Sequence, residues 1–113
     1  MSLIGRRDEI AAALSTVTGV HGYAYRPAVP RSGDAWPLLG PLTRAAGMAF
    51  EVTWRVLVVL PSDERAASQW VDANYEAVVD ALEPIGFVDQ VEPVLLSTSA
   101  GDQQALQITM RGE

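Results

Sequence analysis

The 113-residue chain contains no cysteine and no lysine. Without a thiol it can form no disulfide, thiolate nucleophile, zinc–thiolate site or cysteine-held iron–sulfur cluster. Without lysine it has no Schiff-base amine and no P-loop lysine. His21 is the only imidazole, so one chain cannot supply a multi-histidine metal site. Long apolar runs are also missing. The longest, Val56 to Leu60, falls far short of the roughly 20 residues that span a bilayer. Residues 1–7 lack the apolar core of a signal peptide. Basic charge is scarce: eight basic residues, all arginine, face 14 acidic ones, for a net charge of −6 and a pI near 4.6. Such a surface repels phosphate, which argues against a nucleic-acid binder.

What is present suffices for a core. Apolar residues make up 49% of the chain and charged residues 19%, which excludes wholesale disorder. The length fits one domain, residues 1–113. The expectation is a soluble, acidic protein made in the cytoplasm, with no cofactor and no membrane partner.

The pattern predicts a helix from Leu3 to Thr18, with Leu3, Ile10, Leu14 and Val17 on one stripe, Ser2 as its cap and Gly19 as its end. Val20 to Tyr25 reads as a short strand and Arg26 to Ala35 as a loop. Trp36 to Thr43 is extended, but Pro37 and Pro41 cannot donate to a ladder, so it belongs at a sheet edge. Arg44 to Gly47 makes a hairpin connection to the clearest strand, Met48 to Leu60. Phe50, Val52, Trp54, Val56, Val58 and Leu60 share one face of that strand. The other face changes from Glu51, Thr53 and Arg55 to Leu57 and Val59, so its second half needs cover from the first helix or a neighbouring subunit. Ser62 is the predicted cap of a second helix ending near Leu82, with Ala67, Trp70, Val71, Asn74, Tyr75, Val78 and Leu82 buried. Val88 to Thr98 and Ala105 to Arg111 form a C-terminal hairpin around a turn at residues 99–102. The order α-β-β-β-α-β-β implies an α+β fold, a mainly antiparallel sheet of about five strands packed with two helices.

Signals for chemistry are thin. His21 has no nucleophile motif beside it. Asp8-Glu9 and Asp63-Glu64 sit in first helical turns, where the helix dipole explains them. The acids lack calcium-loop spacing and the glycines lack phosphate-loop spacing. These readings point away from an enzyme. Asp72, Glu76 and Asp80 stand at i, i+4 and i+8 on the second helix, and Glu83 continues the row. Like charges at that spacing repel, so the row is either a solvated face or an acidic strip for an arginine-bearing partner or a DNA-conducting lumen. Trp36 closes a loop long enough to carry contacts and is either an interface anchor or core. The candidate interface residues are therefore Arg26, Arg31, Trp36, Arg55, Asp72, Glu76, Asp80 and Glu83.

One pattern runs through nearly the whole chain. A helix ending in Gly19 leads into Val20-His21-Gly22-Tyr23-Ala24-Tyr25 and a proline-containing loop. An apolar strand, Phe50 to Leu60, leads into a helix opened by Ser62-Asp63-Glu64-Arg65-Ala66, and a hairpin closes the chain. This resembles the tail terminator proteins of long-tailed bacteriophages, in particular those of actinobacterial phages. The resemblance implies a small α+β virion subunit that forms a hexameric ring, caps the tail tube and ends its elongation. It further implies docking to the head-side connector, with the major tail tube protein as the other partner and DNA passing through the lumen without specific binding. A head–tail connector or tail-completion protein shares this size and element order. A dimeric cytoplasmic α+β ligand-binding domain is the rival from another class.

Overall fold

The computed structural model describes residues 3–44, 50–98 and 101–112. The elements are α1 (Leu3–Ser15), β1 (His21–Gly22), β2 (Asp34–Arg44), β3 (Phe50–Val59), α2 (Glu64–Leu82), β4 (Phe87–Thr98) and β5 (Gly101–Gly112). The strands form one sheet in the order β1-β2-β3-β5-β4. Only the β1–β2 pairing is parallel; β2–β3, β3–β5 and β5–β4 are antiparallel. The architecture is the expected α+β fold in the expected element order.

Alternation along β3 organises the core. Val52, Trp54, Val56 and Val58 pack with Leu106, Ile108 and Met110 of β5 against Ile10 and Leu14 of α1 and Ala67, Val78 and Leu82 of α2. Both helices therefore lie on one face of the sheet. α1 contacts β1 and β2, α2 contacts β5 and β4, and the helices touch each other.

The second face is where the structure corrects the sequence reading. Leu57 and Val59 are buried with Trp36, but neither α1 nor another subunit is needed to cover them. The loop between β1 and β2 is drawn across this face. Arg26 Nη2 donates to the Ser97 carbonyl of β4 at 3.0 Å, and Gln103 Nε2 of β5 donates to the Pro30 carbonyl at 3.4 Å. Pro30 is itself buried. The apolar half of the face is thus internal to the chain.

Element ends shift for local reasons. α1 stops at Ser15, three residues before the predicted end, at a run of β-branched Thr16, Val17 and Thr18. Ser15 Oγ donates to the Ala11 carbonyl and accepts from Gly22 N–H, tying β1 to the helix. Gly19 then takes a left-handed φ of 84°. Leu3 is half-exposed, off the buried stripe, and Ser2 lies outside the described residues. Asp8 and Glu9 fall in the second turn of α1, not the first as expected, and Glu9 pairs with Arg6 at 3.0 Å. β1 has two residues where six were expected, because Ala24 offers its carbonyl to Arg7 Nη1 (3.0 Å) in place of a strand partner. β2 begins two residues early. Beyond Ala35 it is an edge, as Pro37 and Pro41 require. The expected hairpin connection keeps Arg44 within β2, and residues 45–49 lie outside the described set. α2 is capped by Asp63, not Ser62: Asp63 Oδ2 accepts from Ala66 N–H at 2.9 Å. Tyr75 is exposed, not buried with the α2 stripe. β5 begins at Gly101, so the C-terminal hairpin is longer than expected, and Ser99 and Ala100 lie outside the described residues. Among the described residues no helix is long and apolar enough to cross a membrane.

Candidate assembly surface

The eight residues marked by the sequence fall into separate places. Arg26 is committed internally: beyond its bond to Ser97 it lies 5.8 Å from the Trp36 ring centroid. Trp36 is fully buried in the second-face cluster, so its ring is not presented at the surface. Arg31 is exposed, and its backbone N–H donates to Asp34 Oδ2 at 2.9 Å. It lines a hollow of about 470 Å³ with His21, Tyr23, Pro27 and Val29. Arg55 is exposed on the second face between Leu38 of β2 and Thr109 of β5.

Asp72, Glu76, Asp80 and Glu83 all project into solvent on the outer side of α2, opposite its buried Val78 and Leu82. Tyr75 Oη donates to Glu76 Oε1 at 3.1 Å. That bond, and then the carboxylate charge, pushes the tyrosine pKa above its usual 10.0. Asp80 also lines a hollow of about 520 Å³ between α2 and the segment that follows α1, with Val17, Asn74 and Ala77. The structure does not bring the arginines to the acidic row. The two sets occupy different elements, and no ion pair joins them among the described residues.

No metal-ligand cluster takes shape among the described residues. No three of His, Asp and Glu converge as metal ligands, and the exposed His21 ring makes no side-chain hydrogen bond there.

The sequence reading missed a different surface. Leu39, Leu42 and Phe50 are 39–47% exposed on the helix-side face of the β2–β3 hairpin, and Leu38 is similarly exposed on the other face. Arg44 stacks over Phe50 at 4.8 Å. Ile4 of α1 is also widely exposed. The signal was present as three leucines on a proline-marked edge strand, which has little use for them in solvent. At the other end of the strands, Leu95 of β4 is 71% exposed. It borders an open groove of about 380 Å³ lined also by Leu60, Pro93, Ala105, Gln104 and Glu64.

No protein-family model matches this chain, and no curated protein matches it in sequence.

Proposed function

We propose that this chain is a structural subunit that works by assembly, as a tail terminator of a long-tailed bacteriophage. In this reading several copies, six by the family resemblance, form a ring on the head-proximal end of the tail tube. The ring stops elongation and offers its other side to the head-side connector. The protein acts in the virion after assembly in the host cytoplasm.

The observation that carries the reading is the apolar β2–β3 arm. Leu39, Leu42 and Phe50 stand exposed on the helix-side face of one hairpin, and Leu38 is exposed on its other face. An exposed cluster of large apolar side chains marks a surface that another protein covers. The acidic face of α2 supports the same reading, since a lumen lined with carboxylates repels DNA phosphates and lets the duplex slide.

The test is an elongation assay with a polymerising tail-tube protein, read as tube length by electron microscopy. Substoichiometric chain should shorten and narrow the length distribution, with density for the chain at one tube end only. Tubes of unchanged length would contradict the terminator role. Binding to a portal-side connector in the absence of tube protein would move the protein to the connector class.

A further inference from the structure

The two apolar features lie at opposite ends of one strand system. In the sheet ladder Leu42 is level with Val52 and hence with Gly112, whereas Leu95 is level with Gln104. Eight residues of β5 separate those levels, about 26 Å at roughly 3.3 Å per residue. Within one chain the arm and the groove cannot meet.

They match in apolar character and charge. The arm presents partly exposed Leu39, Leu42 and Phe50, while the groove has an apolar lining of Leu60, Pro93, Leu95 and Ala105 and a volume able to take one or two such side chains. Arg44 on the arm has no carboxylate partner among the described residues, and neither does Glu64 at the groove have a basic one. Each end supplies the charge the other lacks.

Strand-to-strand pairing at the sheet edges is disfavoured. Pro37 and Pro41 interrupt the β2 edge, and Arg7 Nη1 occupies the Pro37 carbonyl at 3.1 Å. Pro93, Asp89 and Glu92 interrupt β4, which also carries a bulge between Val88 and Gln90. Contact between copies must then run through side chains.

We propose that the β2–β3 arm of one copy docks into the Leu60–Leu95 groove of the next, with Arg44 facing Glu64. The occupant of the groove is a second copy of this chain. A knob and a socket at different places on one subunit make a heterologous contact, which generates a closed ring when its rotation closes. The inference rests on the assembly reading above and specifies the surface by which one subunit meets another.

The absence of cysteine gives a clean test. Leu42→Cys and Leu95→Cys chains are mixed and oxidised, with and without tail-tube protein, and circular dichroism confirms that each remains folded. A disulfide requires Cα atoms within about 7 Å, so a bridge can form only between copies. The mixture should give a disulfide-linked heterodimer, and a chain carrying both substitutions should give a ladder of multimers. Arg44→Glu should raise the concentration needed for assembly about two- to fivefold, the range of an exposed charge pair. Mixing it with Glu64→Arg should restore assembly. Bridging by Leu42→Cys alone, as efficient as in the mixture, would overturn the proposal in favour of an arm-to-arm contact. Multimers on native mass spectrometry without a Leu42→Cys/Leu95→Cys bridge would overturn this interface and leave the ring reading standing. Failure to form multimers under any condition, tube protein included, would overturn both.

Discussion

Arg7 completes the edge of β2 at Pro37. Its guanidinium donates to the Pro37 carbonyl at 3.1 Å and to Ala24 at 3.0 Å, and it stacks 4.5 Å from the Tyr25 ring and 5.2 Å from Trp54. One side chain of α1 thereby fastens the loop and the edge strand to the helix layer. Arg7→Ala should lower stability by about 2 kcal/mol, as expected for charge-assisted hydrogen bonds. Arg7→Lys should recover less than half: Nη1 alone reaches both carbonyls, but an ammonium has no planar group to lie over the Tyr25 and Trp54 rings. Urea unfolding checks this: a lowered midpoint with an unchanged slope is expected.

Gly22 is required by the contact between β1 and α1. A Cβ there would collide with the Ala11 carbonyl oxygen and lie 2.9 Å from Ser15 Oγ. Gly22→Ala should destabilise by about 1–3 kcal/mol, the range for overpacking. Thermal unfolding should show it, whereas Gly101→Ala meets no neighbour and would be strained only by its φ of 109°.

The acidic row on α2 should prove functional rather than stabilising. Glu76 stands one turn from both Asp72 and Asp80, so Glu76→Lys turns two repulsions into attractions. Stability should rise by about 0.5–1 kcal/mol. Reversal of Asp72, Glu76 and Asp80 to Arg should keep the fold, measured by circular dichroism, yet impair assembly or DNA passage. Unchanged infectivity of a phage complemented with the reversed chain would remove the strip from the functional account.

Tyr75 should titrate above ordinary tyrosines because the Glu76 carboxylate accepts a hydrogen bond from its hydroxyl and repels the phenolate. The folded pKa is raised above the unfolded one. The associated stability is therefore fully present below pH 10 and is lost as pH climbs through the higher folded value. Glu76→Gln should lower that pKa and remove the loss. Ultraviolet difference titration follows it, and a profile identical in the two chains would show that the pair does not interact.

Much of the fold was legible because β3 alternates so clearly and prolines punctuate the edges. Phe50 to Leu60 fixed which residues face the helices, and Pro37 and Pro41 placed β2 at an edge. The cover of Leu57 and Val59 was not legible. It depends on Arg26 and Pro30 meeting β4 and β5, contacts more than 70 residues away in sequence. For the same reason Trp36 could not be assigned to core rather than interface. The cap moved by one residue from Ser62 to Asp63 because both side chains can accept the N–H bond, and the backbone geometry decides between them. The acidic row was readable from helical spacing alone. The apolar arm and its groove were not, since exposure of Leu42 and Leu95 follows from where the helices end above the sheet.

Native mass spectrometry over a concentration series, with and without a candidate tail-tube protein, addresses the assembly claim. A six-subunit species is expected, either free or bound to tube protein, with its onset moved to about two- to fivefold higher concentration in Arg44→Glu. A monomer or dimer that ignores tube protein at every concentration would contradict it.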